Sequence, residues 1–544
     1  MRTMLCTAQD GQSAVTASSL VGGLLAQVAR QPEAPALVWR EETVTYGALH
    51  TMARAAASRL RALGLVSDAP VGLVAHKSPR AIATILGCLM VGQRFVLPST
   101  QLAHASLTAL LEGAGCSRVL TPDQATAAAM PELGAVAVFE DHAPSDMDDA
   151  DAEVPADYWF PAALGGAAEA DCFLLTTSGS TGLPKVVPLS VGAVDAFTDW
   201  ALDHFDIGPE TTALNLAPLN FDLCLLDIWA VLKGGGRVVL VEQDLATNAA
   251  YLLRMLDAIP INIIQSVPMF YNLIVHDTHD TPRSFPAVKH AIFTGDSISR
   301  STLAALPSLF PAARLHNIYG CTETNDSFLY EMDPARVDEP GPVPIGHPLP
   351  GVHALVLDET GAPVEGTGMG ELVVSTPFQS RGYLDPARNA GKFFDRNDGG
   401  VTRAFFHTGD LVCRHPDGTL TLEGRKDFRV KVRGVLVNPQ EVERIILGHD
   451  QVLEAAVLAI PDDTAGHLLH AFVHRKIGAK LNSLTLRQHC AAQLPRMAIP
   501  SRIDFVIAAL PKTSTGKLDR RQLLRSCLEG ESHDLSRVHQ TVPA

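Results

Sequence analysis

Residues 176–185 read Thr-Thr-Ser-Gly-Ser-Thr-Gly-Leu-Pro-Lys and follow the apolar run Cys172-Phe173-Leu174-Leu175. The apolar run predicts a buried strand. Five hydroxyl residues, two glycines and a lysine disfavour helix and strand in the ten positions that follow it. They favour an anion cradle, because glycine lets backbone N–H groups turn towards a ligand and hydroxyls add donors. A surface turn rich in serine, threonine and glycine is the alternative interpretation.

The spacing of this stretch differs from that of the common nucleotide-binding loop. The pattern Gly-x-x-x-x-Gly-Lys-[Ser/Thr] requires glycine immediately before the lysine, where this chain has Pro184. Near the C-terminus, Gly516-Lys517 also fails, because Leu518 follows the lysine and Pro511 occupies the position of the first glycine. A Walker-type kinase or ATPase is therefore not predicted.

Composition predicts a globular protein with several domains. A chain of 544 residues is enough for about two to four domains or subdomains. Hydrophobic residues make up 47% of it and charged residues 19%. The formal net charge of −16 argues against nucleic acid or an anionic membrane as the main partner. Much of the negative charge lies between Glu140 and Glu153, which predicts a solvated acidic loop.

The nine cysteines are scattered and include no Cys-x-x-Cys pair. They are typical of reduced packing cysteines in a cytoplasmic protein, without a metal framework. The N-terminus lacks the apolar core of a signal peptide. The longest apolar run, Ala81–Val91, is interrupted by Thr84 and Gly87, so no membrane span is predicted.

Short apolar strands alternate with helical patterns along the chain. Val71–Ala75 predicts a strand followed by a helix, and Val44–Leu49 predicts a strand that runs into a long helix, about Thr51–Leu63. This alternation predicts an α/β fold with a mostly parallel, helix-covered sheet. Residues 1–17 are small and polar, and we expect a frayed lead-in there.

Asp222 stands among apolar residues, in the segment Pro218-Leu219-Asn220-Phe221-Asp222-Leu223-Cys224. The following residues, Leu225–Trp229, predict a helix. An isolated carboxylate in this position is either a helix N-cap or a ligand for a buried cation.

Four further segments combine glycine with hydroxyl, acidic or basic residues. They are residues 316–324 (HNIYGCTET), 407–410 (HTGD), 424–427 (GRKD) and 510–520 (LPKTSTGKLDR). With residues 177–185, they have the order of the motifs of the adenylate-forming superfamily, which this chain resembles over roughly residues 20–525. That superfamily includes acyl-CoA synthetases, nonribosomal peptide adenylation domains and luciferases. The chain is most similar to a freestanding amino acid adenylation enzyme.

The resemblance implies an α/β fold with a large domain and a small mobile domain. Residues 1–426 would form a large N-terminal domain of αβ-layered subdomains with a distorted barrel, which binds ATP and the amino acid. Residues 427–530 would form a small mobile α+β domain that carries the catalytic lysine, with the hinge at Asp427. Residues 531–544 would be a disordered tail.

The resemblance also implies a site for ATP and Mg²⁺. Glu323 would hold Mg²⁺, which prefers carboxylate oxygen beside phosphate and water. Tyr319 would stack on adenine and Asn317 would bond its exocyclic amine, while Asp410 would bind the ribose with help from Arg425. The catalytic residues would be Lys517, Glu323, Thr177 and Lys185. The remaining nucleotide contacts would be Ser178, Gly179, Ser180, Thr181, Gly182, Gly295, Gly320 and Thr322.

In amino-acid-activating members of the superfamily, an aspartate at the position of Asp222 binds the α-ammonium group of the substrate. Aryl-acid and fatty-acid activators usually lack it. A half-buried carboxylate without a partner is costly, so such a site would reject substrates that carry no ammonium. The substrate pocket implied by the resemblance consists of Asp222, Leu223, Leu226, Met269, Ile292, Thr294, Ile318, Asp326 and Ser327.

Mostly aliphatic walls in this pocket predict a small or medium side chain on the substrate. Asp326 is unexpected among them. It could meet a hydroxyl, a second amine or a displaced β-amino group of the substrate, or it could point to solvent.

The function implied is ATP-dependent activation of an amino acid to aminoacyl-AMP with release of pyrophosphate. Transfer to the phosphopantetheine thiol of a separate acyl or peptidyl carrier protein would follow, in the biosynthesis of a natural product such as an antibiotic. No Leu-Gly-Gly-x-Ser carrier segment follows the last motif, which predicts a freestanding enzyme, monomeric or weakly dimeric. The alternatives are an acyl-CoA ligase for amine-free acids, an enzyme for β-amino acids, a luciferase-like oxygenase and a non-catalytic nucleotide-binding regulator.

Two positions depart from the family pattern, and one further segment matches it. Leu422 occupies a position where many relatives have an aromatic residue, which predicts a weaker nucleotide contact. Arg429 replaces a more usual glutamine, and with Lys431 and Arg433 it forms either a solvated face or a basic strip for an acidic carrier protein. The segment from Gly370 to Phe393 matches a family segment that is chiefly structural.

Overall fold

The structure, a computed structural model, describes residues 19–139, 167–177, 183–278, 282–337, 339, 341–398, 400–426, 430–432, 435–462, 466–476, 478–513 and 517–528. Several predictions fall outside these residues. They concern the lead-in, the acidic loop, the hinge residue Asp427, the C-terminal tail and the middle of the phosphate loop, Ser178, Gly179, Ser180, Thr181 and Gly182.

The strands follow the apolar runs of the sequence, and Cys172–Leu175 lies in one of them as predicted. In chain order they are β1 (Pro35–Trp39), β2 (Glu42–Thr45), β3 (Val71–Leu73), β4 (Phe95–Val96), β5 (Val119–Thr121), β6 (Val136–Ala137), β7 (Asp171–Thr177), β8 (Lys185–Ser190), β9 (Thr212–Asn215), β10 (Arg237–Leu240), β11 (Ile263–Ser266), β12 (His290–Thr294), β13 (Arg314–Cys321), β14 (Asn325–Glu331), β15 (His347–Pro348), β16 (His353–Leu357), β17 (Gly368–Ser375), β18 (Phe393–Asp398), β19 (Val401–Arg414), β20 (Leu420–Arg425), β21 (Val430–Val432), β22 (Val435–Val437), β23 (Val452–Asp462), β24 (Gly466–Arg475) and β25 (Arg502–Val506).

Many of the helices begin after a serine, threonine, aspartate or asparagine whose side chain accepts a hydrogen bond from the first turn, which is the usual N-cap arrangement. The helices are α1 (Leu20–Arg30), α2 (Tyr46–Ala62), α3 (Pro79–Met90), α4 (His104–Gly113), α5 (Gln124–Ala128), α6 (Val191–His204), α7 (Val231–Gly234), α8 (Ala249–Ala258), α9 (Pro268–Asp277), α10 (Arg300–Leu309), α11 (Pro439–Leu447), α12 (Ser483–Ala491) and α13 (Arg520–Leu528). A π-helix, Leu225–Ala230, leads into α7.

Two mostly parallel sheets form the larger part of the molecule. The central sheet has the strand order β15-β14-β13-β12-β11-β9-β10-β1-β2, with antiparallel pairs at both edges. The second sheet has the order β6-β5-β3-β4-β7-β8, and only the pair β7 and β8 is antiparallel within the residues that the structure describes. Because strands and helices alternate along the chain, this arrangement confirms the α/β prediction.

The long apolar run Ala81–Val91 is a core helix rather than a membrane segment. It lies in α3, whose residues from Ala81 to Met90 are all buried. Across the described ranges, no helix is long and apolar enough to cross a membrane.

An antiparallel sheet of order β16-β17-β19-β18, with β20 paired to β19, follows the two parallel sheets in the chain. Beyond it, β21 pairs with β22, and β23, β24 and β25 form a small sheet. The helices α11 and α13 pack against β23, and α12 packs against α11. Residues 430–528 have a hydrophobic core of their own that includes Val442, Leu469 and Leu486. This is what we expect of a small α+β domain, although the boundary at residue 427 stays a prediction.

Three side chains join this C-terminal part to β20. Asn438 Nδ2 donates to the carbonyl of Glu423 at 2.9 Å, and Arg444 Nη2 donates to the Glu423 carboxylate at 2.9 Å. Gln440 Oε1 accepts from the backbone N–H of Arg425 at 2.8 Å. The helix α11 therefore packs directly against the last strand before the predicted hinge.

Two buried histidines pair beneath the central sheet. His290 Nδ1 on β12 lies 3.1 Å from His316 Nε2 on β13, and Phe205 packs edge-on against both rings. Burial lowers the pKa of His290 to about 4 and the pKa of His316 to about 3. An unfolded histidine has a pKa of about 6.5, so the unfolded chain binds protons first as the pH falls.

We therefore expect acid to destabilise the fold between about pH 6.5 and pH 4, because stability rises with pH wherever the unfolded state binds more protons. Replacing His316 with asparagine, which does not titrate, should flatten this dependence. Urea unfolding followed by circular dichroism at about pH 7.5 and about pH 5 measures it. The matched control is His347→Asn, at an exposed histidine. An unchanged pH dependence in His316→Asn would show that the pair is not the cause.

Candidate active site

The polar segments predicted from the sequence meet at one edge of the central sheet. The strands β9, β11, β12 and β13 are parallel, so their carboxyl ends lie along the same edge. Asp222 follows β9, Gly295 follows β12, and Glu323 follows β13. Ligands bind beyond the carboxyl ends of strands in open α/β sheets, which makes this edge the candidate site.

Lys517 reaches this edge from the C-terminal part of the chain. A β-carbon at Gly295 would lie 3.4 Å from Lys517 Cε and 3.8 Å from its Nζ, and Gly295 itself has a φ of +80°. Burial raises the pKa of Asp222 and of Asp410, and the positive charge of Lys517 opposes both shifts. The structure therefore brings together residues that are far apart in the sequence.

Residues on both sides of Lys517 along the chain make hydrogen bonds and ion pairs that fix its position. The backbone N–H of Thr513 donates to the Lys517 carbonyl at 2.7 Å, and Lys512 Nζ lies 2.9 Å from Glu454 Oε1. After the loop, Arg520 Nη2 donates to Glu443 at 2.7 Å. Sequence reasoning did not single out Glu443 or Glu454 as partners, because both pairs join residues that are distant along the chain.

Asp222 is half-buried at the site and is not a helix cap. The helical segment after it begins at Leu225, with Cys224 in the N-cap position, so the alternative interpretation of Asp222 as an N-cap is wrong. Burial raises the pKa of Asp222 above its ordinary value, and a hydrogen bond from Thr322 and the charge of Lys517 act in the opposite direction.

Tyr383 joins Lys185 to Glu323. Its hydroxyl donates to Glu323 Oε1 at 2.6 Å and accepts from Lys185 Nζ at 3.2 Å. Lys185 Nζ also lies 4.5 Å from the centroid of the tyrosine ring. Burial lowers the pKa of Lys185, while the charge of Glu323 acts against that shift.

The sequence predicts a chiefly structural role for the segment that contains Tyr383 and does not indicate this bridge. Two backbone hydrogen bonds explain the position of the segment. The N–H of Ser380 donates to the Glu323 carbonyl at 2.8 Å, and the N–H of Leu384 donates to the Val186 carbonyl at 3.0 Å. A tyrosine between these two anchors is forced to lie beside both Glu323 and Lys185.

Two side-chain donors hold the carboxylate of Asp410. Tyr319 Oη donates to Asp410 Oδ2 at 2.5 Å, and Arg425 Nη1 donates to Asp410 Oδ1 at 2.9 Å. Burial raises the pKa of Asp410, and the positive charge of Arg425 opposes that shift. Each carboxylate oxygen has two lone pairs, so both oxygens can accept a further hydrogen bond from a ligand.

Asn317 and Gly320 lie on the same strand as Tyr319. Asn317 Nδ2 donates to the carbonyl of Pro344 at 2.7 Å, which leaves its Oδ1 as the acceptor for a ligand. A β-carbon at Gly320 would lie 2.3 Å from the carbonyl oxygen of Asn325. Only glycine therefore permits the close approach of β13 and β14 at this point.

Thr177 and Lys185 flank the predicted phosphate loop. Thr177 ends β7, Lys185 begins β8, and the two residues pair across the hairpin. The structure thus places Lys185 on a strand next to the site, where Tyr383 contacts it.

The predicted pocket residues have different degrees of burial. Leu226, Ile292 and Ile318 pack in one hydrophobic cluster. Leu223 and Met269 are half-buried, and the remaining members, Thr294, Asp326 and Ser327, are buried.

The Ser327 hydroxyl is used within the turn before β14. It donates to the Asn325 carbonyl at 3.1 Å and lies 3.2 Å from the Thr324 hydroxyl. For Asp326, burial and the charge of Asp222 raise the pKa to about 8.

The acidic groups of the site fit a Mg²⁺ ion that is shared with phosphate. The Oε2 atom of Glu323 accepts no hydrogen bond from the residues that the structure describes, so it can act as a ligand. The same residues contain no group of three or more histidine, cysteine, aspartate or glutamate side chains that could hold a metal. Mg²⁺ beside nucleotides usually has one or two carboxylate ligands and several waters, so Glu323 alone is compatible with it.

Replacing Tyr383 with phenylalanine should weaken the binding of ATP with Mg²⁺. The change removes the hydroxyl that bridges Lys185 and Glu323, and hydrogen bonds to charged groups contribute about 1.5–3 kcal/mol, so a loss of about tenfold or more is expected. Isothermal titration with MgATP measures the change. Tyr251→Phe on α8 is the control, and equal affinity of the two variants would contradict the bridging role.

Comparisons with known proteins identify the family of this chain. Residues 24–384 match the AMP-binding enzyme family, and residues 441–517 match the AMP-binding enzyme C-terminal domain. The chain is 32% identical over 513 residues to an L-proline--[L-prolyl-carrier protein] ligase of Pseudomonas fluorescens, covering 92% of this chain and 98% of that protein. It is 28% identical over 502 residues to a D-alanine--D-alanyl carrier protein ligase of Bacillus velezensis, covering 91% and 96%.

Among solved structures, Klebsiella oxytoca NpsA in complex with 3-hydroxyanthranilyl-AMSN has a similar fold. The TM-score is 0.78 at 22% sequence identity, over 94% of this chain and 99% of that chain. The family match extends over more than half of the residues, and the proline ligase is similar over nearly its whole length. The chain belongs to the family of AMP-binding enzymes.

Proposed function

We propose that this enzyme activates an amino acid with ATP and transfers the aminoacyl group to the phosphopantetheine thiol of a separate carrier protein. The observation that carries the proposal is the half-buried carboxylate of Asp222, which lies in the field of Lys517 at the edge of the central sheet. A substrate ammonium is the natural partner for such a carboxylate. The names of the two relatives above, both ligases of amino acids and carrier proteins, support the same substrate class.

In the first step, a carboxylate oxygen of the amino acid forms a bond to the α-phosphorus of ATP. The bond from that phosphorus to the oxygen that bridges to the β-phosphate breaks, and pyrophosphate leaves. Two anions must approach each other, so catalysis depends on positioning and on neutralising charge. Lys517 and Lys185 supply positive charge, and Thr177 with the loop that follows it supplies donors to the phosphates.

The nucleotide contacts follow from the side chains at the ends of β13 and β19. We assign adenine to the ring of Tyr319 and to Oδ1 of Asn317, with Gly295, Gly320 and Thr322 beside it. We assign the ribose hydroxyls to Asp410, which Tyr319 and Arg425 hold in place. Mg²⁺ held by Glu323 would neutralise charge on the phosphates.

In the second step, the thiol sulfur attacks the carbonyl carbon of the aminoacyl-AMP, and the carbon–oxygen bond to AMP breaks. The thiol proton passes to solvent and AMP leaves. Lys517 lies against Gly295 in the present arrangement, which suits the first step. We propose that the C-terminal part then rotates about Asp427, withdraws Lys517 and admits the carrier. We further propose that this transfer belongs to the biosynthesis of a natural product.

Asp222→Asn should raise the KM for the amino acid and lower amino-acid-dependent pyrophosphate exchange by about 100-fold or more. A buried charge that loses its partner costs about 3–5 kcal/mol, and the substrate ammonium would have no carboxylate to meet. The KM for ATP should change little. Asp244→Asn, at an exposed aspartate, is the control. Faster turnover of amine-free acids than of amino acids by the unmodified enzyme would refute the assignment.

Lys517→Ala should lower pyrophosphate exchange by about 1,000-fold, because its charge acts on the transition state of the first step. Transfer from preformed aminoacyl-adenylate to the carrier should stay within about threefold of the original rate, since Lys517 is withdrawn in that step. Lys480→Ala, at an exposed lysine in the same part of the chain, is the control. An equal loss of both half-reactions would rule out the two-state scheme.

A further inference from the structure

Asp326 is a buried carboxyl that the chemistry proposed above does not use. It lies near the start of β14 with 8% of its surface exposed. Within the described residues, no donor reaches its carboxyl oxygens, and its backbone N–H donates to Asn325 Oδ1 at 2.8 Å. A buried carboxyl without a partner is unfavourable, so its presence calls for a ligand that contacts it.

The turn between β13 and β14 places Asp326 near Asp222, the residue to which the substrate ammonium is assigned. Asp326 pairs with Gly320, and Asn325 before it has a φ of +55°, an uncommon conformation outside glycine. Thr322 in the same turn acts to lower the pKa of Asp222, and the charge of Asp222 acts on Asp326. Asp326 in this turn and Asp222 after β9 therefore lie close enough for their charges to interact.

The two carboxyls differ in what the protein supplies to them. For Asp222, Thr322, the backbone N–H of Leu223 and the charge of Lys517 all act to lower the pKa and so favour the carboxylate. For Asp326, burial and the neighbouring Asp222 act in the same direction and oppose ionisation, and no cation in the described part of the chain offsets them. The protein thus prepares Asp222 for one ammonium and leaves Asp326 short of positive charge.

We propose that Asp326 receives a second ammonium group, carried by the side chain of the substrate, so that the preferred substrate is a diamino acid. This inference rests on the function proposed above, in which Asp222 binds the first ammonium. A second cation offsets the free-energy cost of ionising buried Asp326 and its repulsion by Asp222, whereas a hydroxyl supplies only a hydrogen bond. The apolar residues Leu226, Ile292 and Ile318 cover the carbon atoms of the side chain.

The test uses substrates that differ only in the group at the end of the side chain. Diaminobutyrate, homoserine and norvaline form one such set, and diaminopropionate, serine and aminobutyrate form a shorter one. In pyrophosphate exchange with the full-length enzyme, we expect the diamino acid of one set to have a kcat/KM at least about tenfold above both of its isosteres. A site built to pair with a polar group rejects analogues that lack it.

Variants at Asp326 separate this role from a structural one. Asp326→Leu should lose at least about 100-fold in kcat/KM for the diamino acid and should gain activity with its apolar isostere. Asp326→Asn, which keeps the shape of the side chain, should lose the preference for the ammonium over the hydroxyl. The Asp244→Asn control should keep the preferences of the unmodified enzyme.

Three results would overturn the inference while leaving amino acid activation intact. They are a preference of the unmodified enzyme for the apolar isosteres, a preference for β-amino acids with a single ammonium, and an unchanged preference for the diamino acid in Asp326→Asn. Activation of pentanoate but of no amino acid would instead overturn the proposed function, and the inference with it.

Discussion

The approach of Lys517 to Gly295 is the interaction that joins the C-terminal part of the chain to the candidate site. It brings an ammonium from the C-terminal part of the chain to the edge of a sheet that carries Asp222 and, nearby, Asp410. The φ of +80° at residue 295 favours glycine. Because opposite charges in a partly buried site interact strongly, one lysine can act on several carboxylates at once.

Two tyrosines give the site its rigidity. Tyr319 holds Asp410 from one side, and Tyr383 holds Glu323 while it accepts a hydrogen bond from Lys185. Both tyrosines are buried, so their hydroxyls are available to the site rather than to water. Fixed donors of this kind do not need to reorganise during the reaction, which is the main source of electrostatic catalysis.

The proposed pocket would let a fold shared by many enzymes select its own substrate. Its aliphatic side chains would restrict size, and its two carboxyls, Asp222 and Asp326, would restrict charge. Selectivity is a difference between affinities, and a carboxyl that stays unpaired with the wrong substrate adds to that difference. In the proposed recognition, the same burial that disfavours ionised Asp326 in the free protein would favour a substrate that brings a cation to it.

The sequence by itself determined the α/β class, the strand before the phosphate loop, the order of the motifs and the position of Asp222 before a helical segment. These features depend on local periodicity and turn chemistry, which neighbouring residues encode. Only the tertiary structure decided that Tyr383 bridges Lys185 and Glu323, that Asp222 is not a helix cap and that Asp326 lacks a donor among the described residues. Such pairings join residues far apart in the chain, and packing, rather than local pattern, brings them into contact.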